Sequence, residues 1–201
     1  MPPASTSTTD EGPLSPDQQE QLALANRRAK KVLGAAKVAT FNGWSIGLFA
    51  AIGLLFAMFS FLLFDSFSFT TLVMGIGLAV VARNEFRGRD LLRSFSPHGP
   101  RLLGKNQLGF MGLLIVYCLW NIYGALTNPI TEIEGMEALA EAAGDLVTSL
   151  TVAVYGVVIV VSVLIQGLNA RYYFVRARLV EDYVRETPEW IVELQRSSSV
   201  L

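Results

Sequence analysis

Three long stretches of this sequence contain no charged residue: Gly43–Phe64, Leu108–Thr127 and Leu146–Leu168. A helix needs roughly 20 apolar residues to cross the hydrocarbon core of a bilayer, and each stretch is long enough to do so. Backbone groups in hydrocarbon must be hydrogen-bonded within their own segment, and a helix achieves this. The sequence therefore predicts three membrane-spanning helices at these positions.

A fourth apolar segment, Ser66–Ala82, lies at the short end of the spanning range. It is either the return leg of a helical hairpin or a re-entrant segment that does not cross. If it crosses, all 16 Lys and Arg residues fall on one side of the membrane, in residues 15–42, 83–107 and 169–201. Because Lys and Arg are enriched in short cytoplasmic flanks, this segregation favours four crossings with both termini in the cytoplasm.

The predicted fold is an all-α integral membrane protein with four transmembrane helices in two hairpins and with cytoplasmic helical extensions. We expect it in the plasma (inner) membrane, with the N- and C-termini on the cytoplasmic side. The predicted domains are a disordered tail at 1–15, a basic amphipathic helix at 16–41, a four-span membrane domain at 42–168 and a cytoplasmic helical tail at 169–201. The predicted spans are 43–64, 66–82, 108–127 and 146–168, with a basic cytoplasmic loop at 83–107 and an acidic outer loop at 128–145.

Capping and helix-breaking residues set the predicted ends of helices outside the spans. Arg83–Phe95 reads as a helical continuation of the second span, and the two prolines and the glycine of Ser96–Pro100 predict its end. In the outer loop, Thr131 and Glu134 form a capping-box pair that predicts a short helix. Gly144-Asp145 is expected to end that helix before the fourth span.

Composition excludes several classes of protein. Only 16% of the residues are charged, against about a quarter in a soluble domain, and the net charge of −1 argues against a nucleic-acid partner. A single cysteine and a single histidine exclude an internal disulfide and Cys- or His-rich metal sites. The sequence also lacks the common catalytic and nucleotide-binding motifs. We therefore predict no catalytic residue, no cofactor and no metal site, and we do not expect an enzyme.

The segment before the first span reads as a helix with one narrow apolar stripe. Ser15-Pro16 predicts its start, with Ser as N-cap and Pro at the first helical position. Small side chains dominate the stripe, which consists of Leu22, Ala25, Ala29, Val32, Ala36 and Ala39. Two interpretations remain open: an interfacial or cytoplasmic helix held by anionic headgroups, or a seam against another helix.

The tail carries a second amphipathic segment. Thr187-Pro188-Glu189 predicts the start of a new helix, on which Trp190, Ile191 and Leu194 share one side. This apolar surface must be buried against the chain's own helices, in the membrane interface or on a partner. The residues predicted to contact lipid or a partner are Arg27, Arg28, Lys30, Lys31, Arg83, Arg87, Arg89, Trp190, Ile191 and Leu194.

The sequence does not identify a molecular activity. We favour a non-catalytic membrane subunit or scaffold that acts through its cytoplasmic helices. Its expected partners are a bilayer with anionic headgroups and either a protein partner or further copies of this chain. The alternative is a small uncoupled channel or transporter, because no predicted span has an internal charge. A membrane-bound enzyme acting on lipid, built around His98, is a third possibility.

Overall fold

A computed structural model describes residues 14–64, 69–128 and 137–200, and side chains throughout except at 64, 137–142, 199 and 200. Within these ranges the chain forms α-helices and no strand. The helices are α1 (Pro16–Phe64), α2 (Phe69–Arg93), α3 (His98–Thr127), α4 (Glu137–Glu186) and α5 (Glu189–Val200). The first four are each long and apolar enough to cross a membrane. The predicted all-helical fold with four candidate spans is thereby confirmed, and most of the predicted tail at 1–15 lies outside the described residues.

α1 is a single uninterrupted helix that joins the predicted basic helix to the first span. It begins at Pro16, as predicted. The Ser15 hydroxyl accepts a hydrogen bond from the Gln18 backbone N–H (3.3 Å), and the Gln18 side chain accepts one from the Ser15 backbone N–H (2.9 Å). This reciprocal pair satisfies two donors at the helix start.

The predicted helical continuation of the second span is confirmed, because α2 continues to Arg93. The predicted break at Ser96–Pro100 is confirmed in part: the helix is interrupted, but α3 already begins at His98. A tight turn joins them, with Phe95 in the left-handed region at φ 53°. Pro100 lies in the first turn of α3, where a backbone N–H has no helical partner to lose, so the proline does not break the helix.

The predicted helix end at Gly144-Asp145 is wrong. α4 includes residues from Glu137 onward and passes through Gly144 and Asp145 without a break. A single glycine costs a helix only about 1 kcal/mol relative to alanine, which is too little to end a helix of this length. The predicted capping pair of Thr131 and Glu134 lies outside the described residues.

The main hydrophobic core lies outside the predicted spans, in the helical extensions. It is formed by α1, the end of α2 with its following turn, the start of α3, the end of α4, and α5. We call it the extension core; its buried residues are Ala25, Ala29, Val32, Ala35, Ala36, Ala39, Leu92, Phe95, Leu103, Tyr173, Val180, Tyr183, Ile191 and Val192. The small-residue stripe of α1 is therefore a helix–helix seam within the chain itself.

The predicted spans expose most of their apolar side chains. Their buried cluster is small and consists of Ile46, Val81 and Ala82. Large residues such as Phe56, Val116 and Leu168 are about two-thirds exposed. An apolar surface this extensive is unusual on a soluble monomer, and it indicates association with a membrane.

Candidate functional site

The most unusual side chain in the described structure is Glu85, a carboxyl that is fully buried (0% exposed). It lies on α2, three residues beyond Ala82, where the second predicted span ends. α1 approaches closely here because Gly43 has no side chain. A Cβ atom at Gly43 would lie 3.3 Å from Glu85 Cβ and 3.1 Å from the Phe86 ring. The carboxyl is therefore enclosed between helices at the predicted boundary of the membrane.

α3 provides two amides that bind this carboxyl. Asn106 Nδ2 donates a hydrogen bond to Glu85 Oε1 (2.8 Å), and Gln107 Nε2 donates to the same oxygen (2.9 Å). Asn106 Nδ2 also donates to the Val81 carbonyl oxygen (3.0 Å), and its own side-chain oxygen accepts from Asn84 Nδ2 (3.2 Å). Both ends of the Asn106 amide are thus bonded to α2.

Three further polar atoms of this cluster are buried without a hydrogen-bond partner among the described residues. They are Glu85 Oε2, Asn42 Nδ2 and the Tyr173 hydroxyl. Asn42 belongs to α1 and Tyr173 to α4, so all four long helices contribute to the cluster. Asn42 lies near both of the other groups and favours their ionised forms, although its Nδ2 is outside hydrogen-bonding geometry. We call Asn42, Glu85, Asn106, Gln107 and Tyr173 the polar cluster.

Burial raises the pKa of Glu85 to about 7. The hydrogen bonds from Asn106 and Gln107, and the nearby Asn42 amide, act in the opposite direction but do not cancel the effect of desolvation. Burial also raises the pKa of Tyr173, and the neighbouring Glu85 carboxylate raises it further. Burial thus moves the pKa of Glu85 towards neutral pH and the pKa of Tyr173 away from it.

No described cation pairs with Glu85. Arg83 and Arg87 are exposed on α2. Arg89 instead binds Asp90 (2.8 Å) and lies over the Phe86 ring, 5.2 Å from its centroid. The carboxyl is therefore held by neutral amides alone, which is why desolvation dominates its ionisation.

The predicted contact residues of α1 lie on its outer surface, away from the polar cluster. Arg27, Lys30 and Lys31 are exposed. Arg28 forms an ion pair with Glu186 at the end of α4 (2.7 Å). Because both partners are half-exposed, this pair contributes little to stability.

The three apolar residues of the tail that were predicted to contact a partner differ in burial. Ile191 is fully buried in the extension core, whereas Trp190 and Leu194 remain 39% and 51% exposed. Gln195 Nε2 donates to Asn26 Oδ1 (2.7 Å), which fixes α5 against α1. Of the three, only Trp190 and Leu194 are available to a partner.

Sequence reasoning missed the polar cluster, because Glu85 was counted as one member of a basic loop. One signal was present in the sequence. Asn42 lies directly before the first predicted span, and Asn106 lies two residues before the third. Among the described residues, no group of three or more His, Cys, Asp or Glu side chains could hold a metal ion.

No known protein family, no curated protein and no solved structure matches this chain.

Proposed function

We propose that this chain is a non-catalytic membrane subunit or scaffold that presents a helical platform to a protein partner. The observation that carries the proposal is the extension core, which unites all the described helical extensions outside the predicted spans. Most of the buried apolar side chains among the described residues thus belong to this platform. The predicted spans contribute apolar surface and carry no charged residue in their interiors.

The proposal includes four crossings with both termini in the cytoplasm. It is supported by the segregation of all 16 Lys and Arg residues onto one side. Exposed Trp44 and Trp120 lie near opposite ends of the predicted spans, where amphipathic rings favour the headgroup level.

Cysteine labelling tests this orientation. Cys118 is buried and is replaced by Ala, so that only an introduced cysteine reacts. A membrane-impermeant maleimide should label Thr127→Cys in intact cells and Ser198→Cys only after permeabilisation. Both positions are exposed, so accessibility within the fold does not distinguish them. The reverse pattern would contradict the orientation, and labelling of both in intact cells would contradict four crossings.

The platform leaves an apolar pair on its outer side. Trp190 and Leu194 are one helical turn apart on α5 and partly exposed. The bond from Gln195 to Asn26 places α5 beside a part of α1 that is about 24 Å from Asn42, at 1.5 Å per residue. That distance removes the pair from the predicted bilayer, so a protein is a better partner for it than lipid.

Co-purification in mild detergent from native membranes tests the platform. Replacing both Trp190 and Leu194 by Ser should abolish recovery of the partner, or of a second tagged copy. The matched control replaces Val175 and Leu179, an exposed pair at the same spacing on α4. Wild-type protein recovered alone and monomeric would refute the proposal. Deleting the tail is a poor test, because Ile191 belongs to the extension core.

The polar cluster favours a second candidate, a small channel or transporter. The cluster lies at the predicted cytoplasmic ends of the four predicted spans, and burial raises the pKa of its carboxyl to about 7. Reconstituted liposomes test this candidate: a solute or ion flux that is lost in Glu85→Gln would support it, and no flux in the wild type would remove it. The third possibility, a lipid enzyme, gains no support, since His98 is simply exposed at the start of α3.

A further inference from the structure

A groove of about 440 Å³ runs between α2 and α3, beside the polar cluster. Its volume lies within the range of about 300–1,000 Å³ that is typical of small-molecule sites. Two glycines shape it. A Cβ atom at Gly77 would lie 2.7 Å from Leu113 Cδ2, so Gly77 allows the helices to approach. A Cβ atom at Gly109 would meet nothing within 4 Å, so Gly109 leaves the groove open.

The two ends of the groove differ in chemistry. The end within the predicted spans is apolar and is lined by Val80, Val81 and Leu113. The other end lies at the predicted cytoplasmic boundary and is lined by Asn84 and Lys105. From Leu113 to Lys105 the groove follows α3 for about 12 Å, at 1.5 Å per residue. An apolar groove that ends in polar groups at the predicted headgroup level matches the apolar chain and the polar headgroup of a phospholipid.

The polar end is complementary to an anion. Lys105 is exposed and forms no ion pair with a described residue, whereas Arg101, one turn earlier, is paired with Glu181 (2.5 Å). Asn84 Nδ2 uses one hydrogen to bind Asn106 and has a second available to an acceptor. An ammonium beside an amide N–H suits a phosphate oxygen.

We propose that the α2–α3 groove binds one anionic phospholipid, with its phosphate on Lys105 and Asn84 and an acyl chain along Gly109. The proposal rests on the membrane insertion proposed above, but not on the platform function. Asn84 donates a hydrogen bond to Asn106, and Asn106 donates one to Glu85. These two amide side chains then connect the lipid phosphate to the buried carboxyl.

Native mass spectrometry of the full chain, purified from membranes in mild detergent, tests the site. The probes are phosphatidylglycerol and phosphatidylcholine with identical acyl chains. Wild-type protein should retain one phosphatidylglycerol per protomer at a concentration where phosphatidylcholine is lost. Lys105→Gln should weaken phosphatidylglycerol retention about fivefold, since it removes one cation at headgroup level. Gly109→Leu should also weaken phosphatidylglycerol retention, because it fills the groove.

Two control variants make the test specific. Gly112→Leu changes an exposed glycine of the same helix that also has open space at Cβ, but it does not line the groove. Arg178→Gln removes a cation from a different groove, between α3 and α4. Both controls should retain phosphatidylglycerol like the wild type. Loss in Arg178→Gln but not in Lys105→Gln would overturn the assignment, as would equal retention of the two lipids by the wild type.

The outcomes for lipid binding and for insertion are separable. A wild-type chain that remains in membranes until detergent is added, but retains no lipid, would refute the lipid site alone. A chain found in the soluble fraction would refute the proposed insertion. Thermal unfolding of Gly109→Leu with a midpoint close to that of Gly112→Leu would show that lost binding does not reflect lost folding.

Discussion

Asn106 Nδ2 lies 2.8 Å from Glu85 Oε1 and joins α3 to a buried carboxyl of α2. Gln107 donates to the same oxygen, so one side of the carboxyl is saturated with neutral donors. The other oxygen, Oε2, is buried without a partner among the described residues. An ionised carboxyl in this environment has lost its hydration and gained only two hydrogen bonds. Burial consequently favours the protonated form of Glu85 more than exposure to water would.

Stability should therefore fall as Glu85 ionises. Its pKa is raised from 4.5 to about 7 in the folded protein, so the native state binds more protons than the unfolded state between these values. The free energy of unfolding then decreases as pH rises from about 4.5 to 7 and is level above that range. At 1.36 kcal/mol per pKa unit, the loss is about 3 kcal/mol.

Glu85→Gln should remove this pH dependence and stabilise the protein at pH 8. A glutamine can accept the same two hydrogen bonds at Oε1 and cannot ionise. Thermal unfolding in detergent, followed by the fluorescence of the three tryptophans, measures the midpoint from pH 5 to 8. Glu193→Gln, on the exposed face of α5, should leave the wild-type profile unchanged. A wild-type midpoint that rises with pH over this range would show that burial of Glu85 does not govern its ionisation.

Asn106→Ala should destabilise the protein by about 2–3 kcal/mol, since it removes buried hydrogen bonds between α2 and α3. It should also raise the pKa of Glu85 further, because a donor that favours the carboxylate is lost. The pH range over which stability falls should then extend upward. The unfolding midpoint at several pH values measures both effects.

Asn121→Ala provides a control on the same helix. Asn121 Nδ2 donates to the Tyr117 carbonyl oxygen of its own helix (2.8 Å). Loss of this hydrogen bond should therefore destabilise the protein by less than about 1 kcal/mol. Equal destabilisation by the two substitutions would mean that the contacts of Asn106 with α2 contribute nothing specific.

The helices were predictable from the sequence because long uncharged stretches and capping residues are local signals. The start at Pro16 and the new helix at Glu189 were found in this way. The helix end predicted at Gly144 was wrong, because one glycine is tolerated within a long helix.

The polar cluster could not be predicted, because burial of Glu85 depends on contacts between helices. Its sequence neighbours, Asn84 and Phe86, carry no periodic signal that marks position 85 as interior. The approach of α1 at Gly43 and of α3 at Asn106 encloses the carboxyl. The apolar stripe of α1 was visible in the sequence. The helices that cover it could not be predicted, because they too depend on contacts between distant parts of the chain.

Gly88→Ala should destabilise the contact between α2 and α3. A Cβ atom at Gly88 would lie 2.4 Å from Leu103 Cγ and Cδ2, and Leu103 is fully buried in the extension core. Overpacking of a dense core costs about 1–3 kcal/mol. The unfolding midpoint should fall accordingly. Gly34→Ala is the matched control: its Cβ would meet nothing within 4 Å, and it should stabilise α1 by about 0.5–1 kcal/mol. Similar changes in both variants would contradict the close packing at Gly88.

Tyr183→Phe should loosen α5. The Tyr183 hydroxyl donates to Gln195 Oε1, and Gln195 Nε2 donates to Asn26, so one side chain of α5 is bonded to both α4 and α1. Removing the hydroxyl leaves a buried amide oxygen unpaired, which costs about 1–3 kcal/mol. The lost stability should appear as easier local opening of α5 rather than as global unfolding, because few residues hold this short helix.

Hydrogen exchange of residues 189–200 measures that opening. Amides of α5 should exchange about 10-fold faster in Tyr183→Phe, which corresponds to about 1.4 kcal/mol of local stability, while those of α1 between Ala29 and Ala39 should change little. Tyr172→Phe keeps the ring that stacks on Arg176, 3.3 Å from the guanidinium carbon, and should leave α5 unchanged. Equal acceleration in α1 and α5 would show that the extension core opens as a single unit. In that case the extension core as a whole holds α5, and the bond between Tyr183 and Gln195 has no separate local role.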